Sequence, residues 1–195
     1  MDRESVSDDA ALRGWRSMNQ QVQFTAYLSE VRLREAFIEL VRFVVAVDSG
    51  RAPAGVEAPE FSYLMTPKQF DSVNRLCTER GWPLVTVRGI VVSVVAVRHV
   101  LDARQSKDRL SVDEVAEVLA KAYSPRSNIA LNKHGANAKY DKQTLIFNQR
   151  QKVQVGGAKF YAVAILGLES DGPITHLAPI TCYHANEAKM RAIAK

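Results

Sequence analysis

Cysteine is scarce in this chain, and long apolar runs are missing. Its two cysteines, Cys77 and Cys182, lie far apart, which excludes a disulfide framework and the closely spaced ligand pairs of a zinc site. We therefore expect ordinary thiols in a reducing compartment. The start of the chain lacks an apolar signal segment, and the apolar stretch from Phe43 to Val47 is too short to span a bilayer. The sequence therefore predicts a cytoplasmic protein without a membrane partner.

The sequence also lacks the short motifs that identify several large classes of enzyme. There is no P-loop and no GxGxxG fingerprint, so nothing predicts a bound nucleotide cofactor. Paired carboxylates, a Ser-His-Asp order and a nucleophilic cysteine motif are missing too, and no internal repeat is visible. We accordingly expect no metal and no cofactor.

Acidic residues are rare in the second half of the chain. Residues 1–60 contain 7 Lys/Arg and 10 Asp/Glu, whereas residues 61–195 contain 19 and 11, so net charges of −3 and +8 sum to the formal +5. Between Ser124 and Tyr161 there are seven basic residues and one acid, Asp141. This asymmetry favours an anionic partner for the C-terminal part, although a protein that is merely basic would have the same composition.

The N-terminal part reads as a long amphipathic helix followed by a linker. From about Gln20 to Val47, apolar residues recur at helical spacing among charged ones. Residues 49–59 are small, rich in Pro and Gly and without periodicity. We therefore divide the chain into a helical leader with its linker, residues 1–60, and a main domain, residues 61–195. The apolar face of the leader helix is expected to be covered by the main domain, by a second copy or by a partner.

The main domain has helical signals first and strand signals afterwards. Thr66 and Ser111 each begin a capping box, Ser93 is a helix N-cap, and Leu84 to Val92 reads as a strand between helices. Gly156-Gly157 is a hairpin signal. The later strands are predicted at residues 128–131, 144–148, 152–155, 159–168 and 174–183, with a closing helix after them. The order predicts an α+β fold in which N-terminal helices precede an antiparallel sheet that packs on them.

Histidine, lysine and hydroxyl side chains of the main domain are the candidates for chemistry. Histidine titrates near neutrality and can act as acid or base, and His99 lies mid-helix between Arg98 and Arg104. Lys133 and His134 open a basic, glycine-containing loop that suits phosphate contact. Each also has a simpler interpretation, as a half-buried histidine bonded to a carbonyl or as a solvated loop.

Two later strands carry a second group of candidates. Arg150 and Lys152 share one face of a strand near several aromatic residues, a surface that suits single-stranded RNA. Thr181 and Tyr183 alternate with Cys182, so both lie on one face of the last strand, and His184 follows them. An ordinary exposed sheet surface would have the same pattern.

The stretch from about Leu84 to Lys195 resembles the phage and toxin nucleases of the barnase, EndoU, colicin and RelE-like (BECR) superfold. The similar elements are a helix with a histidine and basic residues, a capped helix ending before a proline, a strand with a basic turn and a last strand with Thr-x-Tyr: Arg98-His99, Ser111 to Pro125, Ile129 to Lys133 and Thr181-Cys182-Tyr183. The resemblance implies His99, Thr181 and Tyr183 as catalytic residues, with Arg104 and Lys133 as phosphate contacts. Arg104-Gln105 stands where the family often has a second histidine, so the general acid is left open.

These observations favour a metal-independent endoribonuclease, a bacterial toxin or phage effector that cleaves RNA by 2′-hydroxyl transesterification. The substrate-binding residues would be Arg104, Lys133, His134, Arg150 and Lys152. The resemblance further implies a leader that handles delivery into a target cell or neutralisation, through an immunity protein or assembly partner. The alternatives are a non-catalytic, basic nucleic-acid-binding or phage structural protein, and an ADP-ribosyltransferase-type toxin.

Overall fold

The computed structural model describes residues 30–52, 54–133, 143–148 and 152–194. In these ranges five helices and seven strands are present. The helices are α1 (Glu30–Asp48), α2 (Pro67–Arg80), α3 (Val94–Asp108), α4 (Val112–Ala122) and α5 (Glu187–Ile193). The strands are β1 (Phe61–Leu64), β2 (Gly89–Val92), β3 (Asn128–Leu131), β4 (Thr144–Asn148), β5 (Val153–Val155), β6 (Ala158–Asp171) and β7 (Ile174–Ala185). The predicted α+β class is confirmed.

The helices begin where the sequence predicts their caps. Thr66 and Ser111 each form both halves of a capping box, and Ser93 Oγ accepts a hydrogen bond from the Ala96 amide. Gly81 ends α2 in the left-handed conformation, at φ 66°. Helix α3 continues past the predicted end near Arg104, because its left-handed C-cap, Arg109, comes only after Asp108. This extra turn adds Asp108 to the helix, and Asp108 becomes part of the candidate site.

The strands form two antiparallel sheets. β1 and β2 make a two-stranded sheet, with Phe61 opposite Val92 and Leu64 opposite Gly89. In the second sheet β4 pairs with β3 and β6, while β6 also pairs with β5 and β7. The predicted strand at residues 84–92 was too long: only Gly89–Val92 is strand, because the Val85 backbone is bonded to the Asn74 side chain instead.

Helix α1 lies in the main hydrophobic core. Its apolar residues Leu33, Phe37, Leu40, Val41 and Val44 are fully buried and belong to the same cluster as residues of α2, α3, α4 and the larger sheet. Of the three covers considered for this helix, the main domain is the one observed. The hydrophobic core therefore extends across the predicted boundary at residue 60. A partner of α1 would have to contact the exposed face of this helix.

A buried glutamine ties the first sheet and α2 to the turn after α4. Gln69 Oε1 accepts hydrogen bonds from the Tyr63 hydroxyl at 2.8 Å and from the Thr66 amide at 3.1 Å. Its Nε2 donates to the carbonyls of Ser124 and Ser127, at 3.0 and 3.1 Å. All polar atoms of a buried amide are thereby engaged, and the turn that leads into β3 is fixed.

A β-bulge in β7 decides which side chains lie on which face of the sheet. Thr181 is opposite Ile165 and Pro179 is opposite Leu166, so Ile180 is the extra residue. Leu177 and Cys182 both belong to the main core although they are an odd number of positions apart. Without the bulge, strict alternation would place them on opposite faces. The bulge thus buries Cys182 against the helices and turns Tyr183 towards the other face, where α5 packs.

No helix among the described residues is both long and apolar enough to cross a membrane. Both cysteines are free and buried.

Candidate active site

Five charged or polar side chains converge where the end of α3, the end of β7 and the start of α5 meet: Arg104, Asp108, Tyr183, His184 and Lys189. We call them the edge cluster, because β7 pairs with β6 alone among the described strands. Arg104 forms an ion pair with Asp108, one helical turn away. The Arg104 guanidinium carbon lies 5.8 Å from the centre of the Tyr183 ring, and Lys189 Nζ lies 4.2 Å from it. Both distances are typical of cation–π contacts.

His184 lies beside Asp108. Its Nδ1 is 4.0 Å from Asp108 Oδ2, and 16% of its side chain is exposed. The Phe160 ring packs edge-on against the imidazole, with ring centres 4.7 Å apart. Nδ1 is buried and has no hydrogen-bond partner among the described residues. A buried polar atom in this condition is uncommon, and a catalytic role is one of its recognised explanations.

The environment keeps the imidazole of His184 neutral at neutral pH. Burial lowers its pKa from the ordinary value, Asp108 counteracts this, and Arg104 and Lys189 lower it further. A neutral imidazole can accept a proton, which is the property of a general base.

The remaining members of the cluster supply donors. Burial raises the pKa of the Tyr183 phenol to about 12, so the hydroxyl keeps its proton at neutral pH. Burial and the neighbouring Arg104 lower the pKa of the Lys189 ammonium, which makes it a better proton donor than an ordinary lysine. The edge cluster therefore combines a neutral imidazole and the Asp108 carboxylate with two cationic donors and one neutral donor.

Glu114 connects the start of α4 to the β5–β6 hairpin. Its Oε2 accepts from the Ser111 amide and hydroxyl, each at 2.9 Å, while Oε1 accepts from the Gly156 amide at 3.0 Å. The hydrogen bond from the Ser111 amide is the main cause of a lowered pKa for this carboxyl, and the bond from the Gly156 amide lowers it further. The capping box that begins α4 thereby also positions the hairpin that leads to Phe160 beside His184.

Of the three predicted catalytic residues, one lies in the edge cluster and two lie outside it. Tyr183 is in the edge cluster. Thr181 is half-buried on the same strand and lines a small cavity with Val97 and Cys182. His99 is exposed on α3, five residues before Arg104, which corresponds to a rotation of about 140° around the helix. Because Arg104 is directed at Tyr183, His99 faces a different side of α3.

The predicted substrate-binding residues are also spread out. Arg104 is in the edge cluster, with 12% of its side chain exposed. Lys152 is exposed, and its Nζ lies 5.0 Å from the centre of the Tyr161 ring. Lys133 is exposed at the end of β3, where its amide donates to the Ile193 carbonyl of α5. His134 and Arg150 lie outside the described residues.

Sequence reasoning missed Asp108, Lys189 and the role of His184. Asp108 is four residues after Arg104, a spacing that pairs opposite charges on a helix and could have been used. His184 follows Tyr183, but on a regular strand the two would face opposite ways. The long side chain of Arg104 links the two residues at the sheet edge, because it contacts both the Tyr183 ring and Asp108, which lies beside His184.

No family model, no curated protein and no solved structure matches this chain. Its function is therefore inferred from the chemistry of its own residues.

Proposed function

We propose that this chain is a metal-independent endoribonuclease that cleaves RNA by attack of a 2′-hydroxyl on the adjacent phosphate. The observation that carries the proposal is the convergence of the edge cluster, which unites a neutral imidazole, two cations and a protonated phenol. This reaction needs a base, an acid and positive charge or hydrogen-bond donors around the phosphate. We further propose a bacterial cytoplasm as its setting, as a toxin or phage effector.

His184 is the general base in this proposal. With the Nδ1 proton directed at Asp108, the lone pair of Nε2 accepts the proton of the 2′-hydroxyl. The 4.0 Å separation between Nδ1 and Asp108 Oδ2 is longer than a hydrogen bond. Such contacts are often long before substrate binds and shorten in the complex. Asp108 then acts as a positioning residue for the ring and stabilises the imidazolium that forms.

Arg104, Tyr183 and Lys189 handle the phosphate. As the 2′-oxygen bonds to phosphorus, negative charge grows on the non-bridging oxygens, and Arg104 and the Tyr183 hydroxyl stabilise it. The bond from phosphorus to the 5′-oxygen breaks, and Lys189 gives its proton to that oxygen. The products are a 2′,3′-cyclic phosphate and a 5′-hydroxyl. Water then returns a proton to Lys189 and removes one from His184.

A cleavage assay on the purified protein tests this function. We expect single-stranded RNA to be cut in the presence of EDTA, to leave a 2′,3′-cyclic phosphate, and the matching DNA to stay intact because it has no 2′-hydroxyl. Loss of activity with chelator, or cutting of DNA, would overturn the mechanism. RNA binding at low salt without cleavage would favour the non-catalytic nucleic-acid-binding module instead.

A further inference from the structure

We infer that Tyr161 and Lys152 form a nucleotide subsite next to the cleavage site, in which the Tyr161 ring stacks on a base of single-stranded RNA and Lys152 binds the adjoining phosphate. The inference rests on the proposed function for the identity of its ligand. It adds a site, outside the edge cluster, that would set how tightly a strand is held and in which register it is cut.

The geometry of the pair fits this role. Tyr161 is half-buried on β6, and Lys152 is exposed just before β5. Lys152 Nζ lies 5.0 Å from the centre of the Tyr161 ring, so a cation already occupies the place over that aromatic ring. A base that stacks on this face displaces the ammonium, and because Lys152 is exposed and flexible, the ammonium can then bind the adjoining phosphate.

The register of the sheet places this subsite beside Tyr183. Val163 is opposite Tyr183 and Tyr161 is opposite Ala185, so Tyr161 and Tyr183 are diagonal neighbours on one face of the sheet. Diagonal neighbours of an antiparallel pair are about 7–8 Å apart. Consecutive nucleotides of an extended strand are separated by a comparable distance. Both tyrosines carry a lysine ammonium over the ring, at Lys152 and Lys189. The two pairs therefore form a repeated aromatic and cationic unit along the proposed path of the RNA strand.

A carboxylate near this subsite forms an ion pair within its own helix. Glu187 lies near Lys152, but it accepts a hydrogen bond from Arg191 at 2.8 Å, and Arg191 is the main cause of its lowered pKa. Glu187 is exposed and paired with Arg191, so solvent and the arginine weaken its repulsion of a phosphate at Lys152.

Binding can be measured apart from cleavage with a fluorescent oligothymidylate. Being DNA, it cannot undergo the proposed reaction, yet it presents bases and phosphates. We expect Tyr161→Leu to weaken binding about 5- to 160-fold, the effect of losing one stacked base, and Tyr161→Phe to bind like the wild type. Lys152→Ala should reduce the slope of log K against log salt by about 0.7, the value for one phosphate of a single strand. Lys68→Ala, which removes an exposed lysine from α2, is the matched charge control.

The possible results distinguish failure of the subsite from failure of the proposed function. RNA cleavage by the wild type together with unchanged oligothymidylate binding by Tyr161→Leu and Lys152→Ala would overturn the subsite and leave the proposed function standing. Weakened binding by both variants without any RNA cleavage would support the subsite and overturn the proposed function. Lys152 is exposed, so its variant tests the site even if Tyr161→Leu fails to fold. A wild type that does not bind the oligonucleotide at low salt would overturn the subsite directly.

Discussion

Asp108 Oδ2 lies 4.0 Å from Nδ1 of His184, and Asp108 belongs to the turn of α3 that continues past the expected helix end. Its negative charge raises the pKa of His184, whereas burial, Arg104 and Lys189 lower it. The balance leaves the pKa below the ordinary value. In the proposed mechanism, activity is lost as pH falls through this pKa.

The pH profile is the first prediction. Wild-type cleavage should decline on the acid side only below about 6.5, the ordinary pKa of histidine. In Asp108→Asn the negative charge that favours the imidazolium is removed, so the pKa of His184 falls and the acid limb moves to lower pH. Asp102→Asn changes an exposed carboxylate of the same helix and should leave the profile unchanged. An acid limb that moves upwards in Asp108→Asn would contradict this assignment.

The second prediction distinguishes the two histidines. Removal of a general base typically lowers a rate by about 10²- to 10⁴-fold, so His184→Ala should lose cleavage by that factor. His99→Ala should keep most of its activity, because His99 is exposed on a different side of α3 from Arg104. Initial rates on one RNA decide between them. If His99→Ala is inactive and His184→Ala is active, the site lies where the family resemblance implied.

Most of the fold was predictable because its signals are local. The capping boxes at Thr66 and Ser111 depend on residues three positions apart, and both formed as expected. The hairpin at Gly156-Gly157 formed too, with both glycines at positive φ. The site was only partly predictable, because it depends on contacts between distant elements. Nothing near Asp108 in the sequence indicates that it will lie beside His184. The bulge at Ile180, which orients Tyr183, is signalled only by Pro179, which could equally have marked an edge strand.

The third prediction concerns the leader helix. Phe37 is fully buried and packs edge-on against Phe61. Phe37→Ala should therefore destabilise the protein by about 3–5 kcal/mol, as measured by urea denaturation. Val31→Ala, on the exposed side of the same helix, should have little effect. Deletion of residues 1–60 should for the same reason prevent folding. A deletion variant with native circular dichroism and cooperative unfolding would contradict the shared core.

The fourth prediction concerns the buried amide. Gln69→Leu removes the acceptor of the Tyr63 hydroxyl. It also removes the donor to the buried carbonyls of Ser124 and Ser127. An unsatisfied buried polar group costs about 1–3 kcal/mol, so we expect a loss of at least 2 kcal/mol in the free energy of unfolding. Tyr63→Phe removes only the hydroxyl and should cost about 1 kcal/mol. Stabilities of both variants equal to that of the wild type would show that the network contributes little.

The last prediction concerns the bulge that orients Tyr183. A Cβ added at Gly167 would lie 3.1 Å from Ile180 Cδ1 and 3.7 Å from Cγ1. Gly167→Ala should therefore push the half-buried Ile180 side chain off its rotamer, at a cost of about 0.5–1.5 kcal/mol. Ile180→Val removes Cδ1 and leaves Cγ1 at an ordinary distance. In the double variant Gly167→Ala/Ile180→Val the loss should be smaller than the sum of the single losses, because the two changes share one contact. Urea denaturation of all four proteins measures this coupling, and strictly additive losses would mean that Ile180 does not restrict residue 167.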